Sequence, residues 1–551
     1  MAPFDRVAEY SSRHPKPADT AFAYGTAGFR TVGTTLGSTV FRMGLLAALR
    51  SQSKQGQTIG VMITASHNEE RDNGVKLVDP MGEMLQQSWE PHCTRIANAE
   101  TDGDVAAVLA AVAEAEGVDV AVTPRVAYAR DTRPSGAMLQ AALEDGLAAV
   151  GALGTNYGVV TTPQLHYFVR CTNTAGTAAE YGAATEPGYY RKYADAFLRL
   201  VDGKPAPTPL HIDAANGVGA PQVRKLAAAL SSPYLDIVVS NGDTATPGRL
   251  NSGCGADYVK SNQRAPQGVE LQRGARYCSF DGDADRIVYY YADDEHGAFR
   301  LLDGDKIATL VATYLRDLVA AAGIGDSDLE VGVVQTAYAN GSSTAYIKDT
   351  LRLPTVFAKT GVKHLHHAAE KMHIGVYFEA NGHGTVLFNP AAVATLHAAV
   401  PQTPAQADAI QRLWALRDLI NESVGDAMSD MLVVEAILIS KAWTPAQWDA
   451  AYSDLPSRLV KVVVADRSIF RTTNAEQTLT APRDLQPAVD ALVAKHPRGR
   501  GMSASWMSSM DAVRVYAEAA TRADCDQLAY AVAGAVFDKA GGRGERPAEF
   551  I

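Results

Sequence analysis

Short apolar runs that break off into polar or glycine-rich loops, with longer helical patterns between them, constrain this chain more than any other feature. Val61-Met62-Ile63 runs straight into Thr64-Ala65-Ser66-His67-Asn68, and Leu210-His211-Ile212 leads to the turn Asp213–Gly217. Gly158–Thr162 reads as a strand stopped by Pro163, and Val331–Gln335 and Ile374–Phe378 are further β-rich runs. Between them lie helical patterns at Val105–Ala113, at Leu139–Val150 closed by Gly151, and at Ile307–Ala321 ending near Gly323. Alternating β and α elements predict α/β layers.

At 551 residues the chain is long enough for three or four domains of roughly 150 residues each. Hydrophobic residues make up 47%, which excludes a disordered chain and supplies several cores. The net charge of -11 argues against nucleic acid as a partner, because phosphate backbones attract basic surfaces. Five widely spaced cysteines with no CxxC argue against a disulfide framework or a structural zinc site and suit a reducing compartment. The N-terminal residues carry no apolar signal core, and no apolar stretch approaches the roughly 20 residues of a membrane span. A cytoplasmic protein with no membrane partner is expected, organellar import being left open.

Breaker clusters at Thr174–Gly188, Asp293–Gly297 and Asp426–Asp430 divide the chain into 1–186, 187–295, 296–430 and 431–551. The first three pieces are α/β in pattern and of similar enough size to be divergent copies. The tail from Gly541 is polar and expected to fray.

Three loops carry chemistry. Ser66 follows an apolar strand, with His67 and Asn68 beside it for proton traffic and hydrogen bonds; an ordinary helix N-cap is the rival reading. Phe280-Asp281-Gly282-Asp283-Ala284-Asp285-Arg286 sets carboxylates at alternate positions, which on an extended segment point to one side. Gathered like charges repel, and a hard cation relieves that repulsion. An EF-hand fails, since Arg286 stands where Gly is needed and Ala292 where Glu is needed. An aspartyl phosphotransferase, with Asp281 as nucleophile and Asp283 as acid/base, is the other rival, and the third carboxylate, Asp285, speaks for a metal instead. Glu379-Ala380-Asn381-Gly382-His383-Gly384 alternates polar side chains suited to sugar hydroxyls, with glycines that admit close approach; a polar hairpin turn is the rival.

Arg30, in Tyr24-Gly25-Thr26-Ala27-Gly28-Phe29-Arg30, can offer a guanidinium to phosphate. Arg133, in Arg130-Asp131-Thr132-Arg133-Pro134-Ser135-Gly136, reads rather as an ion pair that fixes a loop. Of His364, His366, His367 and Glu370, only His364, His367 and Glu370 share a helix face, and a surface or inter-domain helix is expected there instead of a zinc site.

Together the stretches YGTAGFR, TASHNEERDNGVKLVDPMGEML, ARDTRPSG, NSGCGADYVKSNQ, FDGDADRIVYY, KTGVKHLH, FEANGHGTVLF, NESVGDAMSDML and DAVRVYAEA, in that order from Tyr24 to Ala519, resemble the α-D-phosphohexomutases. The form EANGHG is similar to the branch that acts on acetylglucosamine phosphate. The resemblance implies four domains around a central cleft: three α/β domains bearing the phosphoserine, the metal and the sugar, and a smaller C-terminal α+β domain bearing a phosphate loop. It implies interconversion of N-acetylglucosamine 6-phosphate and 1-phosphate through a phosphoserine and a bisphosphate, toward UDP-N-acetylglucosamine. Glucose or mannose phosphates, or a weakly active sugar-phosphate-binding homologue, are the alternatives.

By the same resemblance Ser66 would carry the phosphoryl group and, with Asp281, Asp283 and Asp285, bind Mg²⁺. Arg30 and Arg286 would hold the reacting phosphate, and His67, Asn68 and Lys76 would line the phosphoserine site. Glu379, Asn381 and His383 would grip the sugar, and a sugar bisphosphate would serve as activator. The chain departs from the family at its distal phosphate loop. Ser505-Trp506-Met507-Ser508-Ser509-Met510 stands where Arg-Pro-Ser-Gly-Thr-Glu is usual, leaving Ser508 and Ser509 as the hydroxyls for phosphate, with Arg498 and Arg500 upstream. Glu69-Glu70-Arg71 replaces prolines after the Ser loop.

Overall fold

The computed structural model describes residues 4–230, 234–504 and 512–550. By internal contacts the chain forms two units. The first comprises residues 1–303, 381–385 and 411–445; the second comprises 304–380, 386–410 and 446–551.

The first unit holds two mixed sheets. One contains β1 (Phe29–Val32), β2 (Ile59–Ile63), β3 (Asp72–Val78), β4 (Arg125–Arg130) and β5 (Leu153–Val159), in the order β1-β3-β2-β4-β5. Strand β2 runs parallel to β4 and antiparallel to β3, with Met62 opposite Lys76. The other contains β6 (Leu210–Asp213), β7 (Ile237–Ser240), β8 (Arg276–Phe280), β9 (Ile287–Ala292) and β10 (Phe299–Leu302), in the order β10-β9-β8-β6-β7. Strand β8 runs parallel to β6 and antiparallel to β9. Strands β2 and β8 are buried at every position, as expected where both faces of a mixed sheet are covered. Helices Gly37–Ser53 and Gly136–Ala149 share one apolar core with the first sheet, including Leu45, Leu46, Val61, Ile63, Val75 and Leu143.

In the second unit, β11 (Val331–Thr336), β12 (Thr355–Ala358), β13 (Ile374–Phe378) and β14 (Gly384–Phe388) form a sheet in the order β12-β11-β13-β14. Strands β11, β12 and β13 are parallel. A turn at 379–383 joins β13 to β14, too short for a parallel crossover. The three sheets therefore share one plan: a pair joined by a turn, lying beside two parallel strands. The Ser66, Asp281–Arg286 and Glu379–His383 loops are the same connection, that of the paired strands, in each. This is the structural form of the repeat suspected from the sequence.

The C-terminal part carries β15 (Ser457–Val463), β16 (Arg471–Thr473), β17 (Thr478–Ala481), β18 (Arg500–Ala504) and β19 (Ala512–Glu518). The three-stranded sheet β15-β19-β18 is antiparallel, and it shares an apolar core with helix Arg522–Lys539. The tail does not fray as expected: Phe550 is buried in that core, and Arg546 pairs with Asp538. A hydrophobic residue near a terminus can anchor it even where the surrounding residues are polar.

The alternation of elements is as the sequence predicts, with one clear shift. The strand expected at Gly158–Thr162 is Leu153–Val159, because Thr161 begins a capping box with Gln164 and helix Thr162–Thr174 starts there. The expected division at residue 430 falls inside helix Ala427–Lys441. That helix is fastened to the second sheet by an ion pair between Arg276 and Glu435, 2% and 0% exposed. No described helix is long and apolar enough to cross a membrane.

Removing one partner of a buried ion pair strands the other. Glu435→Ala should therefore lower stability by about 3–5 kcal/mol, read as a fall in denaturation midpoint. A midpoint unchanged from that of the unmodified protein would contradict this.

Candidate active site

Ligands of α/β sheets gather beyond the carboxyl ends of the parallel strands. The loops after β2, β4, β5 and β8 all leave from such ends. Ser66 follows β2 by three residues and is not a helix cap; the chain turns after it and returns as β3. Its backbone is left-handed, with φ +52°, a conformation costing a non-glycine residue about 1–2 kcal/mol. The side chain is fully buried. Ser66 Oγ donates to Asp281 Oδ2 at 2.6 Å and lies 3.4 Å from His67 Nδ1.

The three aspartates do not lie on an extended segment, as expected from their spacing. They sit in a turn between β8 and β9, with Ala284 at φ +58°. Asp281 Oδ1 accepts from the backbone N–H of Asp285 and of Arg286. An Asp side chain that bonds backbone a few residues ahead makes a turn competitive with a strand. The turn still gathers the carboxylates: ligand oxygens of Asp281, Asp283 and Asp285 lie within 4.8 Å of one another, all three residues buried. Asp283 Oδ2 accepts from Thr162 Oγ1 at 2.6 Å, whereas its Oδ1 is buried without a hydrogen-bond partner. Lys76 Nζ lies 3.4 Å from Asp285 and 3.6 Å from Asp283.

Burial and the two neighbouring carboxylates push Asp281 well above the usual carboxylate range. Burial acts in the same direction on Asp285, but His383 and Lys76 outweigh it and hold that group well below the usual range. Three buried carboxylate groups, with Asp283 Oδ1 lacking a hydrogen-bond partner, fit a hard divalent cation, which takes oxygen ligands at about 2.0–2.1 Å and keeps water in its remaining positions. Among the described residues, His67, Asp257 and Asp281 also group closely enough to hold a metal, sharing Asp281 with this cluster.

The positive groups are placed by the same framework. Arg30 lies on β1 opposite Gly74, and its Nε is buried without a hydrogen-bond partner. Arg286 is gripped by both oxygens of Asp257 at 2.8–2.9 Å and lies 3.7 Å from Asp285. Arg286 and burial together lower His67 to about 4, so its imidazole is neutral at pH 7. Asn68 bonds Asp72.

The expected sugar-binding residues divide. His383 Nδ1 meets Asp285 Oδ1 at 3.2 Å, its Nε2 is buried without a partner, and Asn381 Oδ1 accepts from the His383 backbone N–H. Gly382, at φ +85°, could not carry a side chain: a Cβ would stand 1.8 Å from Ile287 O. Glu379 belongs to the second unit, where its carboxylate accepts from Gly361 N at 3.0 Å. In that unit Arg498 donates to Ser342 and Arg500 to Ala339 O. Ser508 and Ser509, and the whole loop Ser505–Met510, lie outside the described residues. In the His364–Glu370 stretch, His366 meets Tyr377 and His367 meets Glu370. Asp257, Thr64 and Thr162 were not singled out from the sequence. Of these, Thr162 had the only signal, the T-x-x-Q capping box that precedes its helix.

Three family models match the chain: phosphoglucomutase/phosphomannomutase α/β/α domain I over residues 32–104 and 95–184, and phosphoacetylglucosamine mutase domains II and III over 180–288 and 303–443. The phosphoacetylglucosamine mutase of Mus musculus is 50% identical over 548 residues, 98% of this chain and 99% of that protein.

The chain belongs to the α-D-phosphohexomutases, in their phosphoacetylglucosamine mutase branch.

Crystal structures from the same branch fit it closely. The Aspergillus fumigatus N-acetylphosphoglucosamine mutase in complex with GlcNAc-6P and magnesium superposes with a TM-score of 0.94 at 50% identity, covering 98% of this chain and 99% of that one. A variant of the fungal protein in complex with glucose 1,6-bisphosphate superposes with the same score and identity, covering 98% of this chain and 100% of its own.

Burial and the neighbouring carboxylates raise Asp281, and a cation favours its ionised form, so Mg²⁺ binding should release protons and strengthen as pH rises. Calorimetry in buffers of different ionisation enthalpy measures this. Asp283→Asn, which converts a charged ligand to a neutral one, should weaken Mg²⁺ binding at least tenfold, about 1.4 kcal/mol. Equal affinity in the variant would remove Asp283 from the metal site.

Proposed function

We infer that this chain interconverts N-acetylglucosamine 6-phosphate and N-acetylglucosamine 1-phosphate, with the phosphoryl group carried on Ser66 between turnovers. The observation that carries the residue assignment is the buried Ser66 hydroxyl bonded to Asp281 within the carboxylate cluster.

Phosphoryl transfer requires placement and charge neutralisation more than covalent chemistry. In the first half-reaction the bond between Ser66 Oγ and phosphorus breaks. A bond forms from phosphorus to the C1 hydroxyl oxygen of the sugar 6-phosphate, which gives up its proton as the departing Ser66 Oγ takes one up. The resulting 1,6-bisphosphate turns around, and Ser66 Oγ takes the phosphoryl group from C6, leaving the 1-phosphate. Ser66 sits in a buried loop whose backbone is fixed, so its oxygen meets each acceptor in the same place. Arg30, Lys76 and Arg286 are the positive groups available to phosphate oxygens, and Asp257 holds Arg286 in place. Neutral His67 adjoins the serine oxygen without adding charge. Asp281, Asp283 and Asp285 would hold Mg²⁺, which, when bound, offsets the negative charge of phosphate oxygens. Asn381 and His383 would grip the sugar; the unpartnered His383 Nε2 suits a sugar hydroxyl.

A sugar bisphosphate that escapes before turning leaves Ser66 bare, so added bisphosphate acts as an activator. The 1-phosphate is the form that a nucleotidyltransferase needs, which places the reaction in nucleotide-sugar biosynthesis. The five cysteines are all buried, and no disulfide joins any of them among the described residues, which suits the cytoplasm.

Intact-mass measurement and peptide mapping after incubation with glucose 1,6-bisphosphate should place one phosphate on Ser66. Ser66→Ala should abolish turnover but leave a folded protein, its stability lowered by about 1–3 kcal/mol, the cost of removing one partner of a buried hydrogen bond. Phosphate on Asp281 would support the aspartyl phosphotransferase instead.

Asn381→Ser should lower kcat/KM for the acetylglucosamine phosphate more than for glucose phosphate, because an amide can both donate and accept toward the acetamido group. Equal losses would mean that Asn381 only shapes the turn through its bond to His383.

A further inference from the structure

Two side chains that take no part in the chemistry described above converge on the backbone around Ser66. Arg133, 1% exposed, follows β4, and every N–H of its guanidinium has an acceptor. Nε donates to Asp131 Oδ2 at 3.0 Å. One terminal nitrogen donates to Glu69 O at 2.5 Å and Asp72 O at 2.7 Å, the other to Ser66 O at 2.8 Å and Asn68 O at 2.9 Å. Asn251, in the loop between β7 and helix Ala256–Asn262, reaches two of the same atoms: its amide nitrogen donates to Ser66 O at 2.9 Å and Asn68 O at 3.0 Å. The carbonyls on either side of His67 are thus each held by two donors, one from each flanking loop of the first unit. Asp131 closes the arrangement from the other end. It accepts from Thr64 Oγ1 at 2.7 Å, and Thr64 Oγ1 accepts from the Ser66 N–H at 3.0 Å. Gly282 leaves the room required, since a Cβ there would stand 2.5 Å from Ser66 O and 2.8 Å from Asn251 Nδ2.

We propose that Arg133 and Asn251 act as a clamp that positions Ser66 for phosphoryl transfer, by drawing the carbonyls of residues 66 and 68 away from the phosphoryl group. The proposal rests on Ser66 being the phosphorylated residue. Carbonyl oxygens are the negative ends of peptide dipoles, and a carbonyl turned toward a phosphoserine dianion would repel it. The left-handed Ser66 has to be held by its surroundings, and here both its N–H and its C=O are bound. These are positioning residues, acting through the Ser66 backbone.

Asn251 is the better target, being only half-buried and contributed by a loop. In a single-turnover experiment the protein is first phosphorylated with glucose 1,6-bisphosphate and then mixed with N-acetylglucosamine 6-phosphate. Asn251→Ala should slow the transfer by about ten- to a hundredfold, the effect expected of a small misplacement of a reacting group. The KM for sugar phosphate and the affinity for Mg²⁺ should change by less than about threefold, because neither the carboxylates nor the sugar loop is touched. Asn251→Asp has the same shape but sets an acceptor against two acceptors, so it should be slower than Asn251→Ala. Were Asn251 merely filling space, the order would be reversed. Arg133→Lys, with fewer donors and no planar fork, should show the same split between transfer rate and KM if it folds. An unchanged transfer rate in Asn251→Ala, or recovery of the rate in Asn251→Asp, overturns the clamp alone. Absence of phosphate on Ser66 in the unmodified protein overturns the mutase reading, and the clamp with it.

Discussion

Three aspartate carboxylates share a buried space less than 5 Å across, with a serine hydroxyl 2.6 Å from one of them, and that concentration of oxygen dictates much of what surrounds it. Left alone, such a cluster protonates, as the upward displacement of Asp281 shows. It stays charged only where a cation or fixed positive groups meet it. Lys76 stands against Asp283 and Asp285, His383 against Asp285, and Arg286 between Asp257 and the turn. Thr162 takes one oxygen of Asp283 and leaves the other open. Such a site is held together by its counter-charges, and the same counter-charges make it receptive to phosphate.

The fold delivers these groups through one repeated device. In each of three sheets the functional loop joins two adjacent strands beside the parallel pair. A strand buried at every position ends abruptly between two neighbouring strands, and the loop begins from a rigid point. Ser66 and Asp281 come from the first two sheets, within one unit, and their closeness depends on Gly282, where a side chain would collide with Ser66 O. The third sheet's loop is divided: Asn381 to Thr385 group with the first unit, and Glu379 stays with the second.

The elements of the site were legible because each sits where an apolar strand meets a polar loop, a change of composition visible without any fold. The serine, the three aspartates, Arg30, Lys76 and Arg286 could be picked out on that ground together with the family resemblance. Their geometry was not legible. Alternate aspartates suggested an extended segment, but the bonds from Asp285 N and Arg286 N to Asp281 make a turn. Asp257, Thr162 and Asn251 act across long separations in sequence, and no local spacing announces a partner found only after folding. Arg133 fixes a loop, as its sequence context suggests, but the loop is that of Ser66 as well as its own. The strand ending at Val159 was placed too far along because the capping box at Thr161 was missed.

The account as a whole turns on whether the transferred phosphoryl group passes through Ser66. The direct measurement is to load Ser66 with radioactive phosphate, add unlabelled N-acetylglucosamine 6-phosphate for a single turnover, and follow the label. Transfer from Ser66 to C1, followed by return of the C6 phosphate to the serine, puts the label in N-acetylglucosamine 1-phosphate and leaves the protein carrying unlabelled phosphate. Label that stays on the protein while the 1-phosphate forms without it would contradict the account.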